Sequence, residues 1–150
     1  MMARRLPSVT IVRRIKASPA RIWAAITQPR LMMQWWGPDA GPTLSAEADV
    51  RPGGRFSVVF RLLNGEEHNP RGIYQEVIPE KKLVFTWEWP GMPERESLVT
   101  FMLEPFDGGT ELTLLHEQLP DEEARKSHEA GWNGLLDKLP PFLGDAEWST

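Results

Sequence analysis

From Thr43 to Glu117 the apolar residues recur with a period of two, in short segments divided by turn signals. After Pro120 the period becomes that of a helix. This order constrains the fold more than any other feature. In Arg55–Leu62, Phe56, Val58 and Phe60 share one face, opposite Arg55, Ser57 and Arg61. In Leu83–Trp89, Leu83, Phe85, Trp87 and Trp89 share a face; in Thr110–Glu117 Leu112, Leu114 and His116 do so. Ser97–Glu104 is apolar on both faces, and Thr43–Val50 is a weaker strand. Glu67–Ile78 reads as one long strand bent at Pro70 or Gly72. The connections are Arg51-Pro52-Gly53-Gly54, Asn64-Gly65, Pro79-Glu80-Lys81, the loop Pro90-Gly91-Met92-Pro93 and Asp107-Gly108-Gly109. Strands joined this tightly form an antiparallel meander.

The two flanks complete the pattern. Val9–Lys16 alternates and is β-branched, so it reads as a strand. Ser18-Pro19 is an N-cap with proline at the first helical position, and Ile22, Trp23 and Ile26 follow at helical spacing. A second short helix, Arg30 to Trp36, ends at Gly37. The last helix starts at Asp121, with Glu122 and Glu123 in the favourable first turn. Its apolar stripe runs through Ala124, His128, Gly131, Leu135 and Leu139, with Trp132 and Leu136 beside it, to a stop at Pro140-Pro141. Roughly 19 residues at about 1.5 Å each give about 28 Å. Seven strands at about 4.8 Å span about 30 Å. The helix is the one element long enough to cover the sheet. The expected class is α+β: a curved antiparallel sheet of about seven strands wrapped on a long C-terminal helix, with two short helices after the first strand.

Charge is distributed unevenly. Residues 1–30 hold seven Arg or Lys and no acid, whereas residues 104–150 hold eleven Asp or Glu against three basic residues. The first strand paired with Thr110–Glu117 would set these ends side by side, Arg13 and Lys16 facing Glu111 or Glu117. The net charge of −4 lacks the basic excess of a general nucleic-acid binder. No apolar run reaches membrane-spanning length, and the basic start Met1–Pro7 has no apolar stretch behind it, so neither membrane nor secretory signal is expected. The absence of cysteine removes disulfides and thiolate chemistry, and a cytoplasmic location is the natural expectation. His68, His116 and His128 lie in separate elements, so no metal site is expected, and no fingerprint calls for a cofactor.

Three runs carry a family resemblance. Ser18–Thr27 followed by Trp35-Trp36-Gly37-Pro38 is the first. Gly72–Pro79 leading to Leu83–Trp87 is the second. Leu112–Glu117 and then Gly131–Leu139 is the third. Together, over about residues 8–143 of one 1–150 domain, they resemble the activator of the ninety-kilodalton heat-shock-protein ATPase. That family lies in the helix-grip superfamily of START domains, the birch-pollen allergen and polyketide cyclases. The resemblance implies a helix-grip fold with a cavity between sheet and long helix.

Tryptophan decides where to look inside such a fold. The chain has seven tryptophans and one tyrosine. Rigid indoles suit a large core or the wall of an apolar pocket. The candidate ligand-binding residues are Trp35 and Trp36 from the short helices, with Phe56, Phe60 and Tyr74. From the later strands come Phe85, Trp87, Trp89, Leu114 and His116, and from the helix Gly131, Trp132 and Leu135. Gly131 reads either as space for a ligand or as close helix–sheet contact. The Trp35-Trp36-Gly37-Pro38 run reads either as a lid or as an anchor for the short helices. His116, facing inward without Glu117, is the first catalytic candidate, and Tyr74 is a second acid–base group in the enzyme reading. The first expected function is binding of a small apolar or aromatic molecule. The second is a cyclase- or hydrolase-type reaction at His116. The third is a chaperone-linked interaction or stress-response role. A chaperone partner is the weakest expectation, because the co-chaperone's separate N-terminal domain has no room here; a homodimer stays open.

Overall fold

The alternating segments form one antiparallel sheet in the computed structural model, which describes residues 6–37 and 39–144. The basic start at Met1–Arg5, Pro38 of the tryptophan run and Trp148 lie outside the described residues. In chain order the elements are β1 (Val9–Ile15), α1 (Pro19–Thr27), α2 (Pro29–Trp35), β2 (Thr43–Ala48), β3 (Arg55–Arg61) and β4 (Glu67–His68). Then come β5 (Arg71–Ile78), β6 (Lys82–Trp89), β7 (Met92–Phe106), β8 (Gly109–Glu117) and α3 (Glu122–Leu143). The sheet order is β1-β8-β7-β6-β5-β3-β2, with the short β4 paired to β3 off this path. Seven strands curl into a half-barrel around α3, so the fold is the α+β helix-grip arrangement.

Parity determines what faces the helix. Phe56, Val58 and Phe60 of β3 are buried, as are Leu112, Leu114 and His116 of β8. β1 closes the sheet against β8, with Val9 opposite His116 and Ile11 opposite Leu114. From α3, Trp132, Leu135, Leu136, Leu139 and Leu143 enter the same core. The short helices are fastened by side-chain bonds: Ser18 Oγ accepts from the Arg21 amide at 3.2 Å, and the Trp35 indole donates to the Ala25 carbonyl at 3.0 Å. Asp121 caps α3 by accepting from the Ala124 amide at 2.8 Å.

Four expectations change. The strand drawn from Glu67 to Ile78 is two strands, because Asn69-Pro70 breaks it; the Asn69 side chain donates to Ser57 Oγ and to the Val58 carbonyl, both at 2.9 Å. β7 starts at Met92, so the loop shrinks to a turn at Pro90-Gly91 and the strand runs 15 residues. α3 continues through Pro140-Pro141 for 22 residues. Buried Leu139 and Leu143 hold that last turn against the core, and the Gly144 amide closes it on the Pro140 carbonyl at 3.1 Å. The charge pairing is one residue out of step. Arg14, not Arg13 or Lys16, meets Glu111, at 3.5 Å. Arg13 shares the inner parity of Ile11 and Ile15, and reaches across to Asp137 and Asn133 of α3, at 2.8 Å each.

Gly72 shows how tightly β5 meets its neighbours. A Cβ there would collide with the Thr86 carbonyl and come within 2.8 Å of the Phe56 ring. Gly72→Ala therefore forces β5 and β6 apart. The expected loss is about 1–3 kcal/mol in urea unfolding, the usual range for overpacking. An unchanged midpoint would show that the strands separate freely.

Candidate functional site

The break at Asn69-Pro70 and a register shift in β6 between Trp87 and Trp89 loosen one end of the sheet. There the sheet and α3 stand apart. The space is an open cavity of about 950 Å³. Its apolar wall comes from Trp36, Phe60, Trp87, Trp89, Trp132 and Leu135. Gly131 and Ala130 present almost no side chain to it from the helix. Asp39, Glu67, His68, Asn69, Arg95 and His128 add polar groups.

Trp132 is surrounded by aromatic rings, with Trp36 and Phe101 edge to face and Trp87 tilted. Its ring centroid lies 5.1 Å from Trp87, 6.0 Å from Phe101 and 6.3 Å from Trp36, at interplanar angles of 52°, 87° and 82°. Trp89 stands nearly perpendicular to Trp87 at 5.8 Å. On the facing side Phe60 stacks on His68 at 5.8 Å. Such edge-to-face pairs stabilise beyond area burial and hold the rings at defined angles.

Behind this wall lies a polar chain. The Trp132 indole donates to His116 Nδ1 at 2.9 Å, and His116 Nε2 meets Ser97 Oγ at 2.6 Å. An indole N–H can only donate, so Nδ1 holds a lone pair and the proton of the neutral ring sits on Nε2. Nε2–H therefore donates to Ser97. This is the reverse of the polarity by which a histidine would take a proton from a serine nucleophile. Burial holds the ring neutral, pushing the His116 pKa down to about 3, and the neighbouring His128 adds to the effect. The two imidazoles lie 4.8 Å apart. His128 has the other tautomer: its Nδ1 donates to the Ala124 carbonyl at 2.8 Å, which leaves Nε2 bare. That Nε2 and the Trp87 Nε1–H are both buried, and neither has a hydrogen-bond partner among the described residues. Burial also lowers the His128 pKa, with Arg95 as a nearby positive charge.

The acids of the wall are already engaged. Asp39 accepts the Gly41 and Leu63 amides at 2.8 and 3.0 Å, which holds its carboxyl below the usual range. Glu67 pairs with Arg61 at 3.1 Å. Lys138 donates to the Asp39 carbonyl at 2.7 Å, and burial lowers its pKa. No group of His, Asp or Glu among the described residues is arranged to hold a metal ion.

The candidates named from the sequence divide into two layers. Trp36, Phe60, Trp87, Trp89, Gly131, Trp132 and Leu135 line the cavity. Trp35, Phe56, Tyr74, Phe85, Leu114 and His116 are buried outside that lining. Trp35 stacks on Phe142, Phe56 and Tyr74 pack against Phe85, and His116 sits behind Trp132. Trp35 is thus an anchor and Trp36 a wall. Sequence reading missed Arg95, His128, His68 and Asp39 as wall residues. His128 carried a signal, since it stands on the helical stripe three positions before Gly131. Arg95 fell between the loop ending at Pro93 and the strand expected from Ser97.

Residues 16–144 match a family model described as Activator of Hsp90 ATPase homolog 1-like protein. Protein NE0264 from Nitrosomonas europaea is similar in structure, with a TM-score of 0.80 and 24% identity over 97% of this chain and 99% of that one. The AHSA1 (SPO3351) protein from Silicibacter pomeroyi superposes with a TM-score of 0.79 at 28% identity, over 91% and 97% of the two chains. CalU16 from Micromonospora echinospora gives 0.70 at 27% identity, over 93% and 77%. A search of curated proteins found no match.

Proposed function

This chain belongs to the family of Activator of Hsp90 ATPase homolog 1-like proteins, and from that membership we propose that it binds a small apolar or aromatic molecule between its sheet and α3. One observation carries the reading: a cavity of about 950 Å³ walled by four tryptophans, a phenylalanine and two leucines. That volume lies within the usual range of ligand pockets. Trp132 and Trp87 already touch Phe101, Trp36 and Trp89, so the rings are braced from behind and held in place. A flat apolar molecule finds stacking surfaces in place, with little ordering cost on binding.

The test is fluorescence titration with the neutral probe N-phenyl-1-naphthylamine, together with native mass spectrometry of the purified protein. Saturable one-to-one binding with quenched tryptophan emission is expected. Gly131→Leu puts a side chain into the cavity and should weaken the probe at least about tenfold. The same change removes a helix-interior glycine, which favours the helix by roughly 0.5–1 kcal/mol. Loss of binding with intact or higher stability is therefore the expected pair of results. No saturable binding by the parent chain, or equal binding by Gly131→Leu, overturns the reading.

A further inference from the structure

We propose that the molecule held in this cavity is an apolar or aromatic carboxylic acid, its carboxylate set on Arg95 and its body against the indole wall. The inference rests on the binding reading above and adds the charge of the ligand.

Five side chains in the cavity wall carry or can carry charge: Asp39, Glu67, His68, Arg95 and His128. Asp39 is satisfied by two backbone amides, and Glu67 by Arg61. His68 Nε2 lies 3.5 Å from Glu66, outside the cavity. His128 spends its only N–H on the Ala124 carbonyl. Arg95 differs from all of these. It is half-buried, and no carboxylate or carbonyl among the described residues pairs with it. Strand alternation explains why. Glu94 and Glu96 flank it in β7, and successive side chains of a strand point to opposite faces. Both are exposed, while Arg95 turns to the cavity. His128 lines the same cavity close enough to feel the Arg95 charge, but it presents a bare nitrogen and cannot neutralise a guanidinium. The wall thus holds one uncompensated positive charge beside an apolar surface.

A guanidinium presents donors in a fork that matches a carboxylate. Its methylene stem can lie along the apolar wall while the head stays at the water boundary. The unpartnered atoms deeper in the wall agree with a ligand bearing one further polar group. Trp87 Nε1–H offers a donor and His128 Nε2 an acceptor, which a hydroxyl on the ligand body satisfies.

The experiment uses the matched pair 1-pyrenebutyrate and 1-pyrenebutanol. They share ring and chain and differ in the carboxylate. Each is titrated by energy transfer from tryptophan into the parent chain, Arg95→Gln and Arg95→Lys. The expected result is a preference of about tenfold or more for the acid in the parent chain. Arg95→Gln should erase it by weakening the acid alone, and Arg95→Lys should restore part of it. Added salt should reduce acid affinity and leave the alcohol unchanged. Equal affinities in the parent chain, or a preference that survives in Arg95→Gln, overturn the proposal. If the alcohol and N-phenyl-1-naphthylamine bind but the acid has no advantage, the cavity reading stands and the charge assignment falls. If none of the three binds, both fall.

Discussion

Trp132→Ala should bring the protein close to unfolding at room temperature. Truncating a buried indole costs about 3–5 kcal/mol, against a total stability on the order of 5–15 kcal/mol. Trp132 is 4% exposed and touches Trp36, Trp87, Phe101 and His116. It also supplies the donor that His116 Nδ1 receives among the described residues. Trp132→Phe separates the two contributions. It keeps an aromatic ring but leaves a buried acceptor unsatisfied, a cost of roughly 1–3 kcal/mol. Urea unfolding should therefore rank the parent chain, then Trp132→Phe, then Trp132→Ala, with clear gaps. If Trp132→Phe matches the parent chain, the indole N–H contributes nothing and the tautomer assigned to His116 is wrong.

Acid should destabilise the fold well before its carboxylates titrate. In the unfolded chain an imidazole takes up a proton near its ordinary pKa of 6.5, whereas burial keeps folded His116 neutral down to about 3. Below about pH 6.5 the unfolded chain gains a proton that the folded chain refuses. Stability then falls by up to about 1.4 kcal/mol per pH unit, and this loss stops only once the folded ring also titrates. Between neutrality and about pH 4.5, His116 alone should remove on the order of 2–3 kcal/mol. His128, shifted in the same direction, adds to it. Asp39, whose pKa is lowered from 3.8, contributes only at more acid pH. Urea midpoints measured across this window should slope steeply for the parent chain and much less for His116→Gln, whatever the latter's absolute stability. Equal slopes would mean that His116 is not held neutral by the fold.

Strands β3, β6 and β8 were legible because their inner faces carry two to four large apolar residues at a period of two, and a one-residue slip would expose them all. Phe56, Val58 and Phe60 are the plainest case. The inward parity of His116 was legible for the same reason. Its role was not. The residue that fixes its proton, Trp132, lies 16 positions along in another element, and no local pattern joins the two. The end of α3 was misjudged because a local rule, proline as a stop, lost to the burial of Leu139 and Leu143. The cavity was legible only in part. Trp36, Trp87 and Trp132 announced themselves as large rigid rings, but the opening depends on the break at Asn69-Pro70 and on the shift between Trp87 and Trp89. Those features decide which neighbours of an alternating strand reach the gap. Arg95 owes its place to them, and an arginine between two glutamates gives no sign of such a place.

The pairing of β1 with β8 also sets the order of assembly. Val9 lies opposite His116 and Ile15 opposite Thr110. During synthesis, β1 therefore emerges without its partner and waits until β8 has followed. The turns between β5, β6, β7 and β8 join neighbours, so those strands can pair as they appear. β1 must close a loop of roughly a hundred residues, and contacts of that separation form late and slow folding. α3, synthesised after β8, covers the inner face only once the half-barrel exists. The ribosome thus delivers the covering helix after the sheet, whose edge strand has only just found its place.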